Sequence, residues 1–239
     1  MLRQCAPKLA EVLSGQLSPL EVLFPNGDSS LVGAVYNNHP AARIMNALTS
    51  HAFERVFSDR GHPPRGLEVG AGTGGTTAYL VDVLERTPGD YVFSDVSTFF
   101  LNAARMKFAG TPGMSFALLN LDAAPEDQGF QVRKFDVIVA ANMLHACRSV
   151  RESLRHLSHI LRPNGILLLL ETTRPMRWLD LVFGLTDGWW AFADSRLRTD
   201  YPLLSTSQWL SVLPDTGFKR SYAVENVPSN QSLFVCRAD

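Results

Sequence analysis

The run Leu67-Glu68-Val69-Gly70-Ala71-Gly72-Thr73-Gly74-Gly75 constrains this chain more than any other stretch. Apolar residues that end in a carboxylate and pass straight into glycines describe a strand that turns sharply. Glycine permits both the tight turn and a close approach of backbone to ligand. The next segment, Thr76 to Glu85, sets Ala78, Leu80, Val81 and Leu84 among charged residues and predicts a helix. Strand, glycine turn and helix in this order predict the first βα unit of a Rossmann-like domain, with a cofactor at the turn.

The glycines alone do not choose the cofactor. Gly70, Gly72 and Gly75 also satisfy the dinucleotide fingerprint G-x-G-x-x-G, so a nicotinamide-dependent dehydrogenase is the different-class alternative. Glu68 tips the balance, because a carboxylate beside the turn repels a pyrophosphate and attracts an ammonium or sulfonium. The pattern E-x-G-x-G-x-G resembles motif I of S-adenosylmethionine-dependent methyltransferases. That cofactor carries an amino group, a sulfonium and a ribose, and no phosphates.

At 239 residues and 46% hydrophobic content, the chain can bury one substantial α/β core. A formal net charge of -1 with scattered basic residues leaves no electrostatic footprint for nucleic acid or an anionic membrane. Cys5, Cys147 and Cys236 lack C-x-x-C spacing, which argues against a disulfide framework or a zinc site and suits a reducing cytoplasm. The apolar run Ile166 to Leu170 is too short to span a bilayer, and no secretory signal is visible. The abrupt opening suggests a domain cut from a longer polypeptide, and size alone suggests a monomer.

Residues 1–64 read as an N-terminal helical segment, with helices at Pro7 to Leu13 and Ala41 to Phe57, and residues 65–239 as the core domain. Further strands are expected at Tyr91 to Phe93, Ser115 to Leu119, Phe135 to Ala140 and Ile166 to Leu170. Crossover helices are expected at Thr98 to Phe108 and Val150 to Leu161. Lys219 to Val224 and Ser232 to Cys236 suit a closing hairpin. The expected fold is therefore a doubly wound, mostly parallel seven-stranded sheet with one antiparallel strand. A helical insert after strand five, at about 176–210, is expected to form a platform over the cofactor.

In such sheets ligands bind at the carboxyl ends of the strands. Those ends offer Glu68, Asp95, Asp122, Asn142 with His145, and Glu171. Asp95 sits where a carboxylate meets ribose hydroxyls, or else caps the following helix. Asp122 contacts the adenine amino group or is a solvated loop acid; Asn142 lines the pocket or pins a turn. His145 and Glu171, ending adjacent strands, can form a general base with its tautomer fixed; the bland alternative is a histidine packed in a loop. His156 and His159, three apart on a helix, would need further ligands to hold a metal. His39, His51 and His62 lie away from the strand ends. Trp189 and Trp190 either wall a substrate tunnel or seal the insert onto the sheet.

Several segments together resemble methyltransferase domains embedded in modular polyketide synthases: Leu67 to Thr77, Tyr91 to Ser97, Phe135 to Ala146, Leu170 to Pro175, and Arg177 to Trp190. Leu20 to Pro25, Tyr36-Asn37-Asn38 and Ala42-Arg43 are similar to that family's lead-in. The resemblance implies an S-adenosylmethionine-dependent domain acting on chains carried by the phosphopantetheine of an acyl carrier protein, beside other synthase domains. It implies His145 and Glu171 as a metal-free catalytic pair and Tyr36 as a lid residue over the site, though Tyr36 can also simply pack that segment onto the core. It implies a cofactor cradle of Glu68, Gly70, Ala71, Gly72, Thr73, Gly74, Asp95, Val96, Leu121, Asp122 and Asn142. Two reactions use this layout: O-methylation of a β-hydroxyl and C-methylation of the α-carbon of a β-ketoacyl thioester. Carbon-methylating members usually carry a large N-terminal lid, and here about sixty-five residues precede the glycines. The expectation is therefore O-methylation. Some domains of this kind are inactive fillers, but this chain keeps both the glycine motif and the base.

Overall fold

A computed structural model describes residues 1–37, 39–58 and 61–239. Asn38 of the lead-in motif lies outside the described residues. Seven strands form one sheet in the order β3-β2-β1-β4-β5-β7-β6. They are β1 (Arg65–Val69), β2 (Asp90–Asp95), β3 (Met114–Leu118), β4 (Phe135–Ala141), β5 (Leu161–Thr172), β6 (Arg220–Asn226) and β7 (Gln231–Arg237). The first five are parallel, while β7 runs antiparallel to both β5 and β6. The expected seven-stranded Rossmann-like sheet with one antiparallel strand is the one observed.

β4 explains why the sheet needs two covers. Its residues Phe135 to Ala140 are all buried, so neither face can meet water. Val137 and Val139 face a cluster built with Met45, Phe53 and Phe57 of the Pro40–Ser58 helix and Leu80 of the Thr77–Arg86 helix. Ile138 and Ala140 face the opposite cluster, with Leu154 and Leu157 of the Val150–Ile160 helix and Trp209 of the Thr206–Val212 helix. The alternation follows from the two-residue period of a strand. The Val150–Ile160 helix buries Val150, Ser153, Leu154, Leu157 and Ile160, the spacing of a single helical face. Ser149 starts it by accepting the backbone N–H of Glu152 at 3.3 Å.

The N-terminal segment divides its packing: its Pro40–Ser58 helix covers one face of the sheet, whereas the residues before that helix pack on the insert. Cys5, Val12, Val22, Leu23 and Val32 form a cluster with Val182 of the insert, joined by Tyr36, Trp178 and Phe183. The insert itself consists of short turns: a helical turn at Arg177–Asp180 and 3-10 turns at Phe183–Leu185 and Asp187–Trp190. Lid segment and insert thus make one roof over the ends of β1, β4 and β5. Among the described residues no helix is long and apolar enough to cross a membrane.

Candidate active site

β1 and β4 are neighbours at the centre of the sheet, and their connections leave in opposite directions, which opens a crevice at their carboxyl ends. A cavity of about 1040 Å³ occupies that crevice beneath the roof. Glu68, Gly70, Ala71, Gly72, Thr73, Asp95, Val96, Leu121, Asp122, Asn142, His145 and Tyr36 all line it. Two expected residues do not. Gly74 turns away to let Phe108 close against the loop, since a Cβ there would sit 2.6 Å from the Phe108 ring. Glu171 lies behind His145, fully buried.

The glycine turn needs its glycines for different reasons. Gly70 and Gly72 have φ of +57° and +54°, a region costly for residues with a Cβ. A Cβ on Gly70 would also meet Met143 Cβ at 2.8 Å, whereas at Gly72 the nearest atom is 3.9 Å away. Gly72 is therefore the open face of the loop. Its N–H donates to Asp95 Oδ2 at 2.9 Å, and the N–H of Ser97 donates to Oδ1 at 2.8 Å. Asp95 thus ties the glycine turn to the start of the Thr98–Lys107 helix, whose N-cap is Ser97. Each carboxylate oxygen keeps a second lone pair for a ribose hydroxyl.

Glu68 is more enclosed than its position in the motif suggested. Its Oε2 accepts the Thr77 hydroxyl at 2.6 Å and the Tyr91 hydroxyl at 2.7 Å. Burial pushes its carboxyl up to about 7, against the lowering effect of those two donors. Asp122 is exposed, and its Oδ1 accepts the backbone N–H of Arg148 at 2.8 Å. Asn142 does both things considered for it. It lines the cavity, and its Oδ1 accepts from the Thr172 N–H at 3.1 Å, the Thr172 hydroxyl at 3.0 Å and the Gln231 amide at 3.2 Å.

The carboxyl ends of β4 and β5 bring His145 and Glu171 together. His145 Nδ1 lies 2.8 Å from Glu171 Oε2. Glu171 Oε1 accepts backbone N–H groups of Met143 at 3.2 Å, Leu144 at 2.9 Å and His145 at 3.4 Å. A carboxylate facing Nδ1 places the proton on Nδ1 and leaves Nε2 as an acceptor. Trp189 packs against the imidazole with centroids 5.3 Å apart, so it walls the cavity. Trp190 is half exposed and donates to the Gly184 carbonyl at 2.8 Å, so it seals the insert. Tyr36 lies 6.2 Å from Phe183, ring to ring, joining lid and insert. Burial, then the charge of Glu171, raises its phenol well above the ordinary value and keeps it a donor. Cys147 lines the cavity, but burial pushes its thiol up to about 12, so it remains protonated.

Three features escaped the sequence reading. Asn46 joins lid to loop: its amide donates to the Tyr36 carbonyl at 2.8 Å and its Oδ1 accepts the Thr76 hydroxyl at 2.9 Å. His39, set aside on position, lines the cavity. Arg198 and Asp194, an i,i+4 pair of opposite charge in the insert, lie beneath His145; that spacing was the available signal. His156 and His159 do not converge: the first meets the Leu121 carbonyl at 2.9 Å, the second Glu126 at 3.1 Å. Among the described residues no group of three or more metal-binding side chains is present.

Residues 67–167 match the family model described as a methyltransferase domain. The chain is 41% identical over 217 residues to polyketide synthase ThaG of Burkholderia thailandensis, covering 88% of this chain and 4% of that protein. It spans between 4% and 11% of the length of the curated relatives reported, all polyketide synthases. Among solved structures it is similar to the CurJ carbon methyltransferase, with a TM-score of 0.95, 38% identity and coverage of 99% of this chain and 65% of that one. The DszA carbon methyltransferase gives a TM-score of 0.92 and 33% identity, covering 100% and 64%. The trans-methyltransferase CalH, solved with S-adenosylhomocysteine, gives 0.83 and 26%, covering 99% and 66%.

These matches support the expected S-adenosylmethionine cofactor, and the cradle fits it. Gly72 presents open backbone, Asp95 a carboxylate with free lone pairs, and Glu68 a buried acid. The same matches overturn the expectation of O-methylation, because CurJ and DszA are carbon methyltransferases aligned over essentially this whole chain. The length before the glycine turn was the wrong discriminator. The two carbon methyltransferases align over 99% and 100% of this chain while it spans only 65% and 64% of theirs, so the number of residues before the glycine turn here does not separate the two reactions.

Proposed function

We propose that this chain is the methyltransferase domain of a polyketide synthase and methylates the α-carbon of a β-ketoacyl chain held on an acyl carrier protein. The observation that carries this reading is the His145–Glu171 pair at 2.8 Å, facing a largely apolar cavity of about 1040 Å³. The likeness to two carbon methyltransferases at 33–38% identity supports the choice of carbon.

In this reading residues 1–64 are the lid segment and 65–239 the catalytic core. Gly70, Ala71, Gly72 and Thr73 hold the cofactor against the β1 turn, with Asp95 and Val96 on its ribose side and Leu121, Asp122 and Asn142 farther along the strand ends. When bound, the cofactor supplies a methyl group made electrophilic by a sulfonium. His145 Nε2 takes the α-proton of the β-ketoacyl thioester, and the carbon freed of its proton becomes the nucleophile. Glu171 holds Nδ1–H and stabilises the imidazolium that forms. Tyr36, protonated and facing the same cavity, is placed to donate to a substrate oxygen. Tyr36, Phe183 and Trp189 exclude water, which keeps the proton transfer in a dry, aligned geometry.

The test is intact-mass analysis of a carrier protein loaded in parallel with β-ketoacyl and β-hydroxyacyl chains and incubated with S-adenosylmethionine. A single methyl gain on the ketoacyl form, with loss of α-deuterium, is the expected result. No gain on that form by the wild-type chain would overturn the reading.

A further inference from the structure

The turn that carries His145 is gripped from below by a cation. Arg198 sits in the insert with its side chain fully buried, and its Nε donates to Asp194 Oδ1 at 2.6 Å. Nη1 donates to the His145 carbonyl at 2.7 Å; Nη2 donates to the carbonyls of Cys147 at 2.7 Å and Arg148 at 3.1 Å. Asp194 completes the grip, its Oδ2 accepting the backbone N–H of Val150 at 2.9 Å. The guanidinium also lies 5.1 Å from the Phe192 ring.

Three carbonyls from one short turn converge on a single charged group. Their dipoles repel one another unless a cation sits among them, and a planar fork of donors matches them better than a point charge. The other side of the same turn is fixed by Glu171, which takes the N–H groups of Met143, Leu144 and His145. The backbone of His145 is therefore held between an anion on its amide side and a cation on its carbonyl side.

We propose that Arg198, oriented by Asp194, is a positioning residue: it fixes the 145–148 turn so that the imidazole stays registered on Glu171 and on the substrate. This rests on the reading of His145 as the base. A displacement of about 1 Å at a reacting group costs on the order of 10²-fold in rate, so a loosened turn shows in kcat before it shows in binding.

The experiment uses the whole chain with Arg198→Lys and Asp194→Asn. Thermal unfolding, calorimetric cofactor affinity, the pH dependence of kcat and the ¹⁵N shifts of the His145 ring are measured for each. The expected result for folded Arg198→Lys is a fall in kcat of at least about tenfold. Cofactor affinity stays within about twofold, the acid limb of the pH profile moves, and the His145 ring shifts move. Arg198→Ala should regain part of its kcat on addition of guanidinium ion. If Arg198→Lys does not fold, Asp194→Asn, which keeps the guanidinium, carries the same readouts. Unchanged kcat and unchanged His145 shifts in a folded variant, or a loss of melting temperature alone, would overturn the proposal. The ring shifts need no substrate, so a wild-type chain inactive on β-ketoacyl carrier protein sinks the functional reading and still leaves the positioning role measured.

Discussion

His145 Nδ1 and Glu171 Oε2 stand 2.8 Å apart, while the other oxygen of Glu171 holds the backbone that carries His145. One carboxylate thus sets both the tautomer and the position of the base. Glu171→Gln offers an amide in its place and allows the imidazole to settle in the wrong tautomer. Its kcat should fall by about 10²- to 10⁴-fold while cofactor affinity changes little. Steady-state methylation of β-ketoacyl carrier protein, beside calorimetry, checks this; an unchanged kcat would remove the pair from the mechanism.

Glu68 makes stability depend on pH. Burial raises its carboxyl from 4.5 to about 7, so the folded chain holds that proton more tightly than the unfolded chain does. The resulting stabilisation is full below the unfolded value and is lost as pH rises through about 7, amounting to about 3 kcal/mol. Glu68→Gln in the cofactor-free chain should therefore melt higher than wild type at pH 8, with the gap closing toward pH 5. An ammonium-bearing cofactor favours the ionised acid, so its affinity should rise between pH 6 and pH 8 in wild type and stay flat in the variant. Thermal scans and calorimetry across that range decide both points.

Asn46 ties the Tyr36 carbonyl to the Thr76 hydroxyl, and so the lid to the glycine loop. Asn46→Ala leaves a buried hydroxyl and a carbonyl without partners, at a cost of about 1–3 kcal/mol. The N-terminal segment should become more open to trypsin, and cofactor should protect it less than in wild type. Equal cleavage rates in both proteins would show that the tie has no part in lid closure.

Gly70 and Gly72 should separate stability from binding. Alanine at either takes a positive φ, at about 1–2 kcal/mol. Only at Gly70 does the new Cβ also strike Met143, 2.8 Å away. Gly70→Ala should lower the melting temperature more, whereas Gly72→Ala should chiefly weaken cofactor binding. Reversal of that order in paired melting and calorimetry experiments would contradict the assignment of Gly72 to the open face.

Much of this architecture was readable in one dimension because the signals are local. The glycine turn after β1, the apolar run of β4 and the strand-end residues Asp95, Asn142, His145 and Glu171 follow from backbone sterics and two-residue periodicity. Those rules act within a few residues of their cause. The partnership of His145 with Glu171 was also within reach, because adjacent parallel strands end together at the same edge.

The amino-acid sequence by itself determined the Rossmann-like sheet, the cofactor turn and the dyad. Tertiary structure alone decided that Glu68 lies among the hydroxyls of Thr77 and Tyr91, that Gly74 serves Phe108 rather than the cavity, and that Tyr36 meets Phe183 in a shared roof. It also decided that Arg198 reaches back some fifty residues to the His145 turn. Each of these depends on which distant side chain fills a given space, and burial then fixes its charge state. Neither quantity is encoded in spacing along the chain, because close packing and desolvation are properties of neighbours that only the folded core brings together.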